Sequence, residues 1–206
     1  MSIKNNKALI LKRIFDILAS GITLIFLLPI FAIIGMFIKL DSKGPVFFIQ
    51  ERLGINKRPF KLYKFRTMVP DAEAKINDLE HLNETQGPTF KIKNDPRIIS
   101  IGKFLRKTSI DELPQLLNVI KGDISLVGPR PLPNRDYKGF EKDRHCRRFS
   151  VKPGITCTWQ ISGRSGITFD KWMEMDLEYI DKWNMFMDFK ILLKTIPAAL
   201  MGRGAC

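Results

Sequence analysis

The apolar run from Ile14 to Leu40 limits the fold of this chain more than any other stretch. The run is longer than the ~20 residues that a helix needs to cross a bilayer. A cleaved signal peptide would have a shorter apolar part, followed by a small-residue cleavage site. We therefore divide the chain into a membrane-anchoring segment, residues 1–43, and a globular part, residues 44–206.

The charges around this run predict where its two ends lie. Lys12 and Arg13 precede it, and Lys39 and Lys43 stand at its other end. Positive residues favour the cytoplasmic side, so both ends are drawn to that side. Pro29 interrupts the hydrogen bonding of the run and predicts a bend. A re-entrant helix, which enters the membrane and returns, satisfies both observations; the alternative is a kinked helix that crosses the bilayer.

The composition restricts the partners that the globular part can have. The formal net charge is +13 over 206 residues, which indicates an anionic partner such as nucleic acid, an anionic membrane face or a phosphorylated substrate. The three cysteines are odd in number and have no paired spacing, which argues against a disulfide framework or a cysteine-based zinc site. We expect the globular part to face a reducing cytosol.

The central stretch, residues 108–131, carries two adjacent acids, Asp111 and Glu112. Pro114 belongs in the first turn of a helix, which places the helix start near Asp111, and Gly122 follows its end. Both carboxylates then lie at the positive end of the helix dipole, which favours their ionised form and attracts anions. Four apolar residues at helical spacing predict the buried face of this helix: Leu113, Leu116, Leu117 and Ile120.

The same stretch allows a chemical and a structural interpretation. Arg130, between two prolines, has a planar set of donors suited to phosphate oxygens. A nucleophilic carboxylate, a second carboxylate for a divalent cation and this arginine would form a phosphoryl-transfer site. However, Ser109 and Glu112 also match a capping box, which needs no chemistry.

Elements on both sides of the stretch complete an α+β fold that is mostly helical. VFFIQERLG and PFKLYKFRTM, joined by a turn at Asn56-Lys57, predict a β-hairpin that carries Lys64 and Arg66. Residues 69–86 predict an exposed helix followed by a loop. ITCTWQISGRS predicts a strand that ends in a glycine-containing loop with Arg164, which can approach a phosphate or a ring closely; a plain turn is the alternative.

Two amphipathic helices are predicted at the C-terminal end of the chain. The first covers residues 169–183 and carries Asp176. The second covers residues 183–200 and carries Asp188, and its Trp, Met and Phe content suits a helix in the membrane interface. An ordinary core helix is the alternative for the second segment.

These segments together resemble the bacterial sugar transferase family, the monotopic phosphoglycosyl transferases. The resemblance rests on YKFRTM, DPRI, the block from Gly102 to Pro131, KPGIT and WQISGR, and it extends through nearly the whole chain. It implies transfer of a sugar-1-phosphate from a UDP-sugar to undecaprenyl phosphate with release of UMP. WQISGR is more similar to members that handle glucose or galactose.

The resemblance also implies roles for individual residues. Asp111 matches the family's nucleophile, and Glu112 matches the acid that binds Mg²⁺. Arg130 matches a phosphate-binding arginine, and Lys64 lies in the same site. Arg66, Arg164, Asp176 and Asp188 are further candidates for substrate binding. A departure from the family pattern is Leu28, which stands where the family has a serine before the proline matching Pro29.

The implied partners are a UDP-sugar, undecaprenyl phosphate and membrane lipids, with Mg²⁺ as cofactor and no nucleic acid. The implied location is the cytoplasmic face of the bacterial inner membrane. The alternative function is a membrane-anchored basic module that binds an anionic partner without catalysis. The residues leave the sugar, the pathway and the oligomeric state open.

Overall fold

The computed structural model describes residues 6–84, 90, 92, 94–138, 140, 143–163 and 166–200. The fold is mostly helical, with a long apolar N-terminal helix and small two-stranded sheets, which confirms the α+β class. The helices are α1 (Asn6–Asp41), α2 (Ser100–Thr108), α3 (Leu116–Lys121), α4 (Asn134–Lys138), α5 (Thr158–Ile161), α6 (Phe169–Lys182) and α7 (Met185–Leu200). The strands are β1 (Phe47–Leu53), β2 (Pro59–Phe65), β3 (Ser125–Val127) and β4 (Gly154–Thr156).

Helix α1 lies lengthwise against the globular part. Its buried positions, from Asp16 and Ser20 to Ile34 and Ile38, lie on one face because they are separated by helical spacings. This face extends over about 33 Å, at ~1.5 Å per residue. It packs against α3 and β3 near one end and against the α2 region near the other. The opposite face exposes large apolar side chains, such as Phe26 at 75%.

Polar contacts tie both ends of α1 to the same globular body. Near the N-terminal end, Arg13 donates hydrogen bonds to the backbone carbonyls of Val119 and Ile120 in α3, at 2.6 and 2.8 Å. One turn later Asp16 accepts a hydrogen bond from Ser125 at 2.7 Å. At the other end, Asp41 accepts one from the backbone N–H of Ile101 at 2.9 Å. These bonds hold α1 in place along its length.

The helix is uninterrupted from Asn6 to Asp41, with Pro29 inside it. Its length and composition are sufficient to cross a membrane. The re-entrant course and the crossing alternative both stay predictions.

Strands β1 and β2 form the expected antiparallel hairpin. The connection contains Asn56 and Lys57 in left-handed backbone conformations, with φ of 53° and 61°. Side chains of β2 reach two separate clusters, because successive residues of a strand point to opposite faces. Leu62 packs in a cluster with α3, and Phe65 packs in a cluster with α1 and α2. The hairpin therefore links these two apolar clusters, while a third cluster forms around Leu132, Trp172 and Met173.

A second sheet pairs β3 with β4 in parallel. The pairing needs a very close approach at Gly154, where an added Cβ would lie 2.1 Å from the backbone nitrogen of Gly128. The strand in ITCTWQISGRS was predicted, but its pairing with β3 was not, since the two strands are far apart in the chain. Its consequence is that the carboxyl ends of both strands meet at one edge.

The central helix begins differently from the prediction. Ile110–Gln115 is a 3₁₀ helix, and the α-helix starts only at Leu116 and ends at Gly122, with φ of 92°. A 3₁₀ helix has about three residues per turn, so the positions after it are rotated relative to a continuous α-helix. The predicted buried face is therefore wrong in part: Leu117 and Ile120 are exposed, and Val119 is buried instead.

Two other segments also differ from the predictions. In the described part of residues 69–86, two short 3₁₀ turns replace the exposed helix, Ala74–Ile76 and Glu80–Leu82. This segment has no continuous apolar face whose burial would stabilise a helix. The strand in ITCTWQISGRS ends at Thr156, and α5 follows it. The two C-terminal helices are confirmed as α6 and α7.

Helix α7 has one face packed against the protein and one exposed apolar face. Ile191 is 2% exposed, and Thr195 hydrogen-bonds to Thr156 of β4 at 2.7 Å. The exposed face carries four large apolar residues at helical spacing: Phe186, Phe189, Leu193 and Ile196. The helix thus contributes to the packed structure, and its place in the membrane interface stays a prediction.

Candidate active site

The carboxylate of Glu112 is at the centre of the candidate site. Lys64 Nζ donates to its Oε1 at 2.8 Å, and Arg130 Nη2 donates to the same oxygen at 2.6 Å. The other oxygen, Oε2, has longer contacts, to Arg130 Nη1 at 3.4 Å and to Gln160 Nε2 at 3.3 Å. Glu112 is 8% exposed, so two cations, rather than water, stabilise its charge.

Burial and charge have opposite effects on this cluster. Burial alone would raise the pKa of Glu112, but Arg130 and Lys64 hold that pKa well below its usual value. Burial lowers the pKa of Lys64, and the charge of Glu112 opposes this effect. Two cations face the Glu112 carboxylate, and an ionised Asp111 balances the charge of the four groups, so the site offers a phosphate the directed donors of Lys64 and Arg130 rather than an excess of positive charge. Such a cluster is suited to a phosphate group.

The neighbouring carboxylate, Asp111, has no comparable partner in the part of the chain that the structure describes. No donor in the described part of the chain is within hydrogen-bond range of its oxygens. Burial raises the pKa of Asp111 to about 6, although the charge of Lys64 acts in the opposite direction. Asp111 is therefore mainly ionised at neutral pH, with oxygens that no donor among the described residues holds. A carboxylate in this condition can act as a nucleophile.

A sharp backbone turn places the two acids. Ser109 ends α2 in a left-handed conformation, with φ of 58°, and the 3₁₀ helix with Asp111 and Glu112 follows directly. The side chain of Ser109 does not cap that helix. The capping-box interpretation is therefore wrong, because the Glu112 carboxylate points to Lys64 and Arg130 instead.

Three separate elements deliver the side chains that bind Glu112. Lys64 is on β2 and shares a face with the core residue Leu62, because residues two apart on a strand point the same way. Arg130 follows β3, and Gln160 lies on α5, directly after β4. Since β3 and β4 are parallel, their carboxyl ends bring these two side chains to the same edge.

Two predicted site residues, Arg66 and Asp188, lie at the ends of α1 instead of in this cluster. Arg66 donates to the hydroxyl and the carbonyl of Ser42, at 2.8 and 2.7 Å. Asp188 accepts hydrogen bonds from Lys12 and from the Tyr179 hydroxyl, the latter at 2.8 Å. These contacts fasten α1, and a part for either residue in substrate binding stays a prediction.

Asp176 is next to the cluster without contacting Glu112. It accepts two hydrogen bonds from Arg148, at 3.0 and 2.6 Å, and Arg148 donates to the Arg130 carbonyl at 2.8 Å. Its predicted role in substrate binding also stays a prediction. Arg164 lies outside the described residues.

Gln160 and Arg148 are two residues of the site that the sequence did not predict. Gln160 belongs to WQISGR, a motif that drew attention for its glycine and for Arg164. Arg148 stands in a basic loop segment where several arginines look equivalent from sequence alone. Their importance becomes visible only when the parallel pairing of β3 and β4 brings them near Arg130.

The residues of the site fit a magnesium ion that arrives with a diphosphate. In the described part of the chain, no group of three or more His, Cys, Asp or Glu residues could hold a metal by itself. Mg²⁺ usually takes one or two carboxylates and completes its octahedral shell with water and substrate phosphates. Of the two Glu112 oxygens, Oε2 has the longer contacts with other residues and is therefore the one more available to a metal ion.

Comparison with known proteins gives a family match over almost the whole chain. The family model described as "Bacterial sugar transferase" matches residues 7–202. The long apolar helix and the similarity to sugar transferases together support association with a membrane.

Three relatives illustrate the similarity. The chain is 48% identical over 205 residues to the galactosyl transferase CpsE of Streptococcus agalactiae, covering 96% of the chain and 44% of that protein. It is 38% identical over 198 residues to the exopolysaccharide production protein ExoY of Rhizobium meliloti, covering 94% and 87%. It is 40% identical over 204 residues to the undecaprenyl-phosphate glucose phosphotransferase of Komagataeibacter xylinus, covering 94% and 36%. The chain thus spans less than half the length of two of these proteins.

The raised pKa of Asp111 predicts a cost in stability that depends on pH. A carboxyl group whose pKa is higher in the folded state favours folding when protonated, and this contribution is lost as pH rises from about 4 to about 6. Asp111→Asn, which resembles the protonated acid, should therefore stabilise the protein by about 3 kcal/mol at pH 8, since one pKa unit corresponds to ~1.4 kcal/mol. The gain should fall to about half at pH 5.

Unfolding in detergent, followed by circular dichroism at both pH values, measures this difference. The exposed Asp78→Asn is the matched control and should change neither value. A gain that is equal or larger at pH 5 would contradict the account of Asp111.

Proposed function

The chain belongs to the bacterial sugar transferase family, and from this premise we propose that it transfers a sugar-1-phosphate from a UDP-sugar to undecaprenyl phosphate. The observation that carries the proposal is the contrast between the two acids of the site. Glu112 is bound by Lys64 and Arg130, while Asp111 is buried, mainly ionised and held by no donor among the described residues.

The proposed donors are UDP-glucose and UDP-galactose. Support comes from two relatives, one named a galactosyl transferase and the other an undecaprenyl-phosphate glucose phosphotransferase. The product, undecaprenyl diphosphate carrying one sugar, would begin the synthesis of a surface polysaccharide. The name of the ExoY relative, an exopolysaccharide production protein, agrees with such a role.

The proposed reaction has two steps at one phosphorus atom. A carboxylate oxygen of Asp111 attacks the β-phosphorus of the donor, the bond from that phosphorus to the bridging oxygen breaks, and UMP leaves with the bond electrons. A phosphate oxygen of undecaprenyl phosphate then attacks the same phosphorus, and Asp111 leaves as a carboxylate. Division into two steps lets each displacement use a group that is already held in the site.

The two cations of the site serve both steps. Lys64 and Arg130 form ion pairs with Glu112. We propose that they stabilise the negative charge that develops on the phosphate oxygens and on the departing UMP. Glu112 would keep them in place and would hold Mg²⁺ together with the donor diphosphate. The metal would neutralise charge on that diphosphate when bound.

Two other functions make different predictions for the same site. A basic binding module without catalysis would need neither a buried Asp111 carboxylate without a donor among the described residues nor a divalent cation. An ordinary glycosyltransferase would leave the donor phosphate on the nucleotide and release UDP. The nucleotide product and its metal dependence therefore separate all three functions.

The first prediction concerns that nucleotide product. Incubation with UDP-glucose or UDP-galactose, undecaprenyl phosphate and Mg²⁺ should release UMP, measured by chromatography. Asp111→Asn should lower the rate by at least ~10³-fold, because an amide is a very poor nucleophile. The exposed Asp78→Asn should keep the wild-type rate. Release of UDP, or near-normal activity of the Asp111 variant, would reject the proposed reaction.

The second prediction concerns the metal. Excess EDTA should stop UMP release, and added Mg²⁺ should restore it. Glu112→Gln should shift the half-saturating Mg²⁺ concentration at least ~10-fold upward, because a neutral amide oxygen is a weaker ligand for this hard cation. Glu174→Gln, an exposed glutamate on α6, is the control and should leave the midpoint unchanged. An EDTA-resistant rate would remove Mg²⁺ from the proposal.

We further propose that both ends of α1 lie on the cytoplasmic side of the inner membrane. The support is that Arg13 and Asp16 at one end, and Asp41 at the other, bind the same globular body. A helix fastened in this way cannot place its ends on opposite sides of a bilayer while the contacts persist. Positive residues near both ends favour the cytoplasmic side.

Cysteine labelling tests this topology. Asn6 and Lys43 are exposed residues near opposite ends of α1, and each is replaced singly by cysteine in a background without Cys146, Cys157 and Cys206. Neither position should react with a membrane-impermeant thiol reagent in intact spheroplasts, and both should react after lysis. Reaction of the Asn6 position alone in intact spheroplasts would show a helix that crosses the membrane.

A further inference from the structure

The backbone around Arg130 is held by its carbonyl groups. The Pro129 carbonyl accepts a hydrogen bond from the backbone N–H of Gly154 at 3.0 Å. The Arg130 carbonyl accepts one from Arg148 Nη2 at 2.8 Å. The next residue, Pro131, has no N–H, so the peptide group between it and Arg130 can be held only through that carbonyl. Arg148 thus fixes the backbone of Arg130, from which the Arg130 side chain extends.

Arg148 is itself held by an ion pair inside the protein. It is 3% exposed, and its Nε and Nη2 both donate to Asp176 Oδ2, at 3.0 and 2.6 Å. Burial raises the pKa of Asp176, and the charge of Arg148 acts against this rise. The planar guanidinium can serve the carboxylate and the Arg130 carbonyl together, whereas a lysine at this place would lack the rigid fork of donors.

A second connection joins the same two arginines through aromatic rings. The guanidinium carbon of Arg130 lies 5.8 Å from the ring centre of Trp159, which stacks on Trp172 at 4.7 Å with an angle of 24°. The guanidinium carbon of Arg148 lies 5.5 Å from the Trp172 ring. We call these four side chains the arginine–tryptophan stack. Cations over tryptophan rings and offset ring pairs are both attractive arrangements.

Helix α6 carries both Trp172 of this stack and Asp176, the acid that binds Arg148. Trp172 and Asp176 are one turn apart on it and face the same way, so a single helix face holds both the ring and the carboxylate that Arg148 contacts. The polar connection and the aromatic connection both end at Arg130. The guanidinium of Arg130 in turn donates to Glu112.

We propose that Arg148, held by Asp176, is a positioning residue that keeps Arg130 directed at Glu112 and at the donor phosphate, through the Arg130 carbonyl and the arginine–tryptophan stack. This inference rests on the proposed function, because it deepens the role given there to Arg130. Asp176 then acts through Arg148 and has no need to touch the substrate.

A double-mutant cycle on UMP release tests the inference. Arg148→Lys keeps the charge but not the fork, and should lower kcat by about 10- to 100-fold, since a displacement of ~1 Å in a catalytic group costs this much. In an Arg130→Lys background the same change should lower kcat by less than about threefold, because the Arg130 guanidinium that Arg148 positions is already absent. The matched control is Arg147→Lys, an exposed arginine paired with Asp181, which should leave both rates unchanged.

Equal losses in the two backgrounds would overturn the inference, since Arg148 would then act on the fold in general. If Arg148→Lys does not fold, Trp159→Leu replaces it in the same cycle, because Trp159 is only half-buried, and the same criterion decides.

If the wild type releases no UMP at all, the proposed function fails by itself. In that case the circular-dichroism couplet of the stacked tryptophans decides on positioning: Arg148→Lys should alter it and Arg147→Lys should not, and an unaltered couplet would overturn the inference.

Discussion

The ion pairs of Glu112 are the interaction on which the whole candidate site depends. Lys64 and Arg130 come from positions 48 and 18 residues away in the chain, and each would be costly to bury without this carboxylate. The same pairs separate the two acids chemically: Glu112 has its charge satisfied, while Asp111, equally buried at 8%, has no donor among the described residues. The same ion pairs therefore leave one acid with its charge satisfied and one acid that, in the proposed function, serves as the nucleophile.

The second constraint is the fastening of α1. Its ends bind the globular body through side chains that are polar, and its middle packs through apolar ones, so the helix and the domain form one unit. Phe15 of α1 meets Phe189 of α7 with 4.9 Å between ring centres, and both helices expose apolar faces beyond this contact. A body with such faces is suited to the surface of a bilayer, where a lipid-linked phosphate is available. In the proposed function this arrangement would give Asp111 access to both a soluble donor and a lipid acceptor.

Local sequence patterns were sufficient for most elements but not for their pairing. The apolar run, the hairpin and the two C-terminal helices follow from periodicity and turn residues, and the acids with Lys64 and Arg130 follow from the resemblance to a family. The parallel pairing of β3 with β4 joins distant segments, and no local signal encodes it. Gln160 and Arg148 depend on that pairing and were missed for this reason. The 3₁₀ start of the central helix also changed which leucines are buried, because a pattern with a period of 3.6 does not describe it.

The central claim is that Asp111 carries the sugar phosphate between donor and acceptor, and one measurement tests it most directly. The protein is incubated with a UDP-sugar carrying labelled β-phosphate, in the absence of undecaprenyl phosphate, then digested and examined by mass spectrometry. The account predicts one phosphosugar adduct, on Asp111, which disappears when undecaprenyl phosphate is added. An adduct on another residue, or UMP release without any adduct under these conditions, would contradict it.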